Sequence, residues 1–166
     1  SGATPFRGAK GTTLEGGVRV PGIFWWPGMI APGRVSDGLF DMTDMFNTSL
    51  AIAGVDPAKV VPADRYIDGI DQTPFLLADN GESAREAVFF YNADMFAGVR
   101  WRYYKMSISE VQTGSGNVRD FGGLDNAQFI IPPNGYMYNL YLDPRERRSI
   151  LIEKAWAPSY ALGPLM

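Results

Sequence analysis

The sequence predicts an α/β chain, α+β in the make-up of this stretch, and three observations carry that expectation. Residues 18–26 are a short apolar run without alternation, residues 41–53 carry apolar side chains at helical spacing, and residues from 87 onward fall into aromatic and β-branched runs. The first two suit an edge strand and a helix of a layered α/β domain; the third suits a small antiparallel sheet.

In chain order, residues 1–17 read as a loop rich in Gly, Thr and Ser, with cations at Arg7 and Lys10. Residues 18–26 then form a buried strand, ended by the turn Trp26-Pro27-Gly28. Met42, Met45, Phe46, Ser49, Leu50 and Ala53 recur at the i, i+3, i+4, i+7, i+8 and i+11 spacing of one amphipathic helix. Thr43 or Asp41 caps it, Asp44 suits the positive end of its dipole, Gly54 stops it, and its two methionines read as core filling.

Residues 56–81 read as a long connection with a brief helical turn at Phe75-Leu76-Leu77. A boundary near residue 80 divides the chain into 1–80 and 81–166. Strands are expected over 87–91, 95–101, 102–108, 129–131 and 136–141, a loop over 110–126, and a terminal helix over 145–156 after Asp143-Pro144.

Composition removes several chemistries from this chain. Its 166 residues contain no Cys and no His, so it holds no disulfide, thiolate, Cys-ligated zinc or Ser-His-Asp triad. A net charge of −3 and no clustered Lys or Arg argue against a nucleic-acid partner. The longest apolar run, residues 21–27, falls far short of the ~20 residues that cross a bilayer, so no membrane span is expected, and the N-terminus shows no secretory signal.

Three constellations compete as sites. Lys10, among Gly8, Gly11, Thr12 and Thr13, reads either as a clamp for a sulfate or phosphate oxygen or, more simply, as a solvated lysine. Glu15 and Arg19, four apart across Gly16-Gly17, read as an active-site acid with an anion binder or, by preference, as a structural ion pair. Asp64, Asp68, Asp71 and Asp79 lack the dense alternation of a Ca²⁺ loop and read as solvated carboxylates, so no metal site is expected.

The run Thr4-Pro5-Phe6-Arg7-Gly8-Ala9-Lys10-Gly11-Thr12-Thr13-Leu14-Glu15-Gly16-Gly17-Val18-Arg19-Val20-Pro21 closely resembles the second signature region of the arylsulfatase family of sulfuric ester hydrolases, which have an alkaline-phosphatase-like α/β domain. Phe24-Trp25-Trp26-Pro27-Gly28, Met42-Thr43-Asp44-Met45-Phe46, Ile67-Asp68-Gly69-Ile70-Asp71, Gly98-Val99-Arg100 through Lys105, and Tyr138-Asn139-Leu140-Tyr141-Leu142-Asp143-Pro144-Arg145-Glu146 resemble later segments of that family, in its order.

The resemblance implies a parent that hydrolyses sulfate esters with Ca²⁺ and a formylglycine made from Cys or Ser. It implies Lys10 as the contact to the sulfate, with Glu15, Gly16, Gly17 and Arg19 chiefly structural. The chain has neither a Cys nor a Ser-x-Pro-x-Arg stretch, so it is expected to be a C-terminal portion, inactive alone and with no cofactor of its own. Its expected partner is the missing N-terminal half, or a second copy of itself; apolar side chains of residues 18–53 should be left exposed. The alternatives are a stand-alone non-catalytic module, or a relative of the phosphatases and phosphonate hydrolases.

Overall fold

The computed structural model describes residues 5–8, 11–78, 82–92, 94–111, 129–130 and 135–151. The chain divides into two compact units, one of residues 1–21 with 89–166 and one of residues 22–88.

The first unit, which takes in β1 (Ala87–Asn92) from residue 89 onward, is built on a four-stranded sheet of order β1-β2-β3-β6, with β2 (Met95–Trp101), β3 (Tyr104–Ser107) and β6 (Tyr136–Asn139). A two-residue connection, Arg102 and Tyr103, joins β2 to β3 and fixes Arg100 opposite Lys105 and Trp101 opposite Tyr104. Arg102 has φ +52, the left-handed backbone that hairpin turns matched to strand twist require. β6 pairs antiparallel with β3, placing Met137 opposite Met106. Met137 is the packing centre, against Trp101, Tyr104, Ile150 and Leu151. β4 (Glu110–Val111) and β5 (Phe129–Ile130) form a separate antiparallel pair.

The only helix of this unit among the described residues is short: α1 (Glu15–Val18) follows the Gly-rich loop. The terminal helix expected from residue 145 does not form over 145–151. Asp143 turns its carboxylate to the amides of Arg147 (2.6 Å) and Arg148 (2.9 Å), Glu146 takes φ +52, and the Ile150 amide bonds Met137 O at 2.8 Å, so the chain folds back on the sheet edge. Residues 152–156 of that expectation, and 112–126 of the expected loop, lie outside the described residues.

The second unit holds α2 (Asp44–Ile52), a 3₁₀ turn (Pro57–Lys59) and α3 (Thr73–Leu77). The strand expected over 18–26 is absent: residues 19–26 are irregular, and Ile23 and Trp25 are 90% and 84% exposed. An apolar run becomes a strand only where a neighbouring strand takes its backbone groups, and among the described residues none does so. The turn that ends it does form, with Ile30 N donating to Trp26 O at 2.9 Å.

α2 forms within the expected span but packs differently. Its methionines do not fill a core, since Met42 is 76% and Met45 41% exposed, while Asp44 and Thr48 are buried. The reason is polar. Asp44 takes a bidentate Arg85 guanidinium, with Nε at 2.8 Å, and the amides of Asp41 and Ile70, each at 2.9 Å. Gln72 adds its amide nitrogen to Asp44 at 3.3 Å and its backbone N–H to Thr48 Oγ1 at 3.0 Å. A paired buried carboxylate holds that face of the helix inward, and the apolar face turns out. The exposed apolar side chains expected of residues 18–53 are therefore present, Val35 at 93% among them.

Candidate functional site: a buried charge cluster beneath the Lys10 loop

The Gly-rich loop is closed at its stem. Gly16 N donates to Arg7 O at 2.7 Å, and a Cβ at residue 16 would lie 2.6 Å from that same oxygen, so only glycine allows the approach. Thr12 and Thr13, the two hydroxyls that flank Lys10 in sequence, are both buried. Lys10 itself lies outside the described residues, between Gly8 and Gly11 in sequence.

Beneath the stem sits a cluster of charged groups. Lys105 and Glu146 are 0% exposed and Glu15 is 1% exposed. Lys105 Nζ lies 3.1 Å from Glu15 Oε1 and 3.0 Å from Glu146 Oε1, the second an ion contact without hydrogen-bond alignment. Arg100 Nη1 reaches Glu15 Oε2 at 3.0 Å. Arg19, one helical turn beyond Glu15, approaches the same oxygen at 3.9 Å, and its guanidinium lies 4.6 Å from the Phe6 ring centre. The loop is tied to the cluster twice. Glu15 N donates to Glu146 Oε2 at 2.7 Å, and Arg7 Nη1 donates to Glu146 O at 2.7 Å.

The strands explain the placement. Arg100 and Lys105 share one face because they are directly paired across the hairpin, and two like charges so close require an anion between them. Glu15 supplies it. Burial pushes the Glu146 carboxyl above its ordinary pKa, a rise that the Lys105 ammonium and the Glu15 amide only partly offset. Lys105, Glu15 and Glu146 are thus closed off from solvent, while Arg19 stays partly exposed at the edge of the cluster.

Of the residues singled out in sequence, Glu15, Gly16 and Arg19 converge here, with Gly17 donating its amide to Leu14 O at 2.8 Å inside α1. Lys105, Arg100 and Glu146 carry more of the geometry than sequence spacing indicated. The one available signal was the hairpin: two cations flanking a two-residue turn with equal offsets must face each other. Asp64, Asp68 and Asp71 are exposed, with Asp71 Oδ1 accepting from Thr73 N at 2.8 Å to start α3; Asp79 lies outside the described residues. Among the described residues no three His, Cys, Asp or Glu side chains gather as a metal site.

No protein-family model matches the chain. Curated relatives do. It is 45% identical over 101 residues to N-acetylgalactosamine-6-sulfatase of Canis lupus familiaris, covering 61% of this chain and 18% of that protein. It is 39% identical over 102 residues to steryl-sulfatase of Rattus norvegicus, covering 61% of this chain and 17% of that one. Among solved structures, the PsFucS1 sulfatase from Pseudoalteromonas sp. superposes with a TM-score of 0.83 at 40% identity, over 97% of this chain and 31% of that chain. The chain thus spans less than a fifth of the length of these curated relatives and about a third of that structure. Over a partial region of their length, the chain is a homologue of the sulfatases.

Proposed function

We propose that this chain is the part of a sulfuric ester hydrolase that presents Lys10 to the substrate sulfate, and that alone it does not turn over. The observation that supports this most directly is the stem of the segment that carries Lys10 in sequence: Arg7 O accepts from Gly16 N at 2.7 Å, and Glu15 N donates to the buried Glu146 carboxylate. An ammonium held in advance where charge grows on sulfate oxygens lowers the barrier without reorganising at the moment of reaction. The Ca²⁺ ion and formylglycine of an intact sulfatase find no ligand set among the described residues, and the sequence has no Cys and no Ser-x-Pro-x-Arg to modify. They belong to the remainder of the parent, whose packing would cover the exposed apolar side chains of residues 23–45.

A hybrid tests the reading. Residues 1–166 replace the matching segment of the PsFucS1 sulfatase, and release of sulfate from an aryl sulfate is measured. Turnover by the hybrid that falls about 100-fold or more with Lys10→Ala is expected; a folded, inactive hybrid, or one indifferent to Lys10→Ala, overturns the proposal. The chain alone should show no turnover with the same substrate and Ca²⁺.

A second reading, favoured by those exposed side chains, is a non-catalytic module that assembles with itself. Light scattering across a concentration series distinguishes it, because a stable monomer at every concentration removes it.

A further inference from the structure

We infer that Glu146 is a positioning residue of the Lys10 loop, holding both ends of the loop to one point of the turn that closes the sheet; this rests on the reading of Lys10 as the sulfate contact. At the entry end, Arg7 Nη1 donates to the Glu146 carbonyl at 2.7 Å. At the exit end, Glu15 N donates to Glu146 Oε2 at 2.7 Å. The two ends are themselves joined by the Gly16 N to Arg7 O bond at 2.7 Å. One residue, 139 and 131 positions away in sequence, therefore meets both stems.

The backbone of Glu146 agrees with a placed residue. It has φ +52, a conformation in which a side chain's Cβ is crowded and which persists where the surroundings over-determine it. The surroundings do so: Glu146 N donates to Asp143 O at 3.0 Å, the Asp143 carboxylate holds the next two amides, and Lys105 lies 3.0 Å from Oε1. Asp143-Pro144-Arg145-Glu146 thus does more than close a strand. A cation that acts by fixed position loses its effect when its loop drifts, since misplacement by about 1 Å can cost on the order of 100-fold in rate.

The test has two arms. In the full chain, hydrogen exchange is followed at the amides of residues 11–18 and of β2 and β3. Glu146→Ala should speed exchange in 11–18 severalfold while β2 and β3 keep their protection, and Glu146→Gln, which retains an acceptor for Glu15 N, should restore it. Unchanged exchange in 11–18, or equal loss in the strands, overturns the inference. If Glu146→Ala does not fold, Arg7→Met removes one tie, leaves the buried charges paired and carries the same comparison.

In the hybrid sulfatase, Glu146→Ala should lower kcat/KM by about 10- to 100-fold and have little further effect once Lys10→Ala is present. Equal losses in both backgrounds overturn it. An inactive hybrid refutes the sulfate-ester reading alone, because the exchange arm still decides whether Glu146 anchors the loop.

Discussion

Arg100 and Lys105 stand directly opposite each other across the β2–β3 hairpin, two cations on one sheet face, and the Glu15 carboxylate joins them at 3.0 and 3.1 Å. Like charges in cross-strand register oppose folding, so the hairpin alone is a poor arrangement. It becomes a good one only when the loop preceding α1 delivers Glu15. The Glu15 contact thus supports the hairpin and the hairpin supports the loop stem, which is how a distant strand can help set the geometry of a Gly-rich loop.

That coupling makes Lys105 the most sensitive member. Lys105→Met leaves Glu15 and Glu146 buried with less compensation and should lower stability by about 3–5 kcal/mol in urea titration. Arg19, a third exposed and 3.9 Å from Glu15, should cost no more than about 1 kcal/mol when changed to Ala. Equal effects would mean that the cluster is not organised around the buried lysine.

Gly16→Ala tests the stem. The added methyl meets the Arg7 and Gly8 carbonyl oxygens at 2.6 and 2.7 Å, both backbone atoms that cannot move without opening the loop. A loss of about 1–3 kcal/mol is expected, with faster amide exchange over residues 11–18. A neutral result would show that the loop closes less tightly than the Gly16 N to Arg7 O bond indicates.

Much of this was legible in the residues. The β runs from 87 to 107 and from 136 to 139, the helix over 44–52 and the turn at 27–30 follow from periodicity and turn chemistry, which are local. The misplaced elements share a non-local cause. Residues 18–26 have strand composition but no partner strand among the described residues, Met42 and Met45 have core spacing but yield the inner face to Asp44, and residues 145–151 have a helix start signal that Glu146 at φ +52 breaks. For the site, Glu15 and Gly16 stood out by motif, whereas Glu146 became visible only when the chain brought it back over 131 positions.

Two of the buried carboxyls, Asp44 and Glu146, should respond to pH with opposite signs. In Asp44, burial pushes the pKa up, but Arg85, the Ile70 and Asp41 amides and Gln72 outweigh it and hold the group below its ordinary value. Its contribution to stability is present above the ordinary carboxylate pKa and is lost as pH falls through the lowered one. In Glu146 burial wins and the pKa is raised, so its contribution is full below the ordinary value and is lost as pH rises through the raised one. The stability deficit of Asp44→Asn should therefore shrink on acidification, while that of Glu146→Gln should shrink as pH rises toward neutrality. Denaturant titrations of both variants across pH 3–7 check the pair, and parallel pH dependences would refute the assignment.

The exposed apolar side chains of the second unit give the last prediction. Ile23, Trp25 and Val35 make no core, so replacing all three with Ser should change folding stability by no more than about 0.5 kcal/mol per site. If they form a surface that another chain or copy covers, the same triple change should sharply reduce binding of an apolar dye and raise solubility. Trp25, 84% exposed, offers an internal check, since its fluorescence should be open to acrylamide quenching in the isolated chain. In the hybrid with the PsFucS1 sulfatase, quenching of Trp25 should fall if the rest of the enzyme packs there. Unchanged quenching in an active hybrid would place the covering surface elsewhere and leave Ile23, Trp25 and Val35 facing solvent in the assembled enzyme as well.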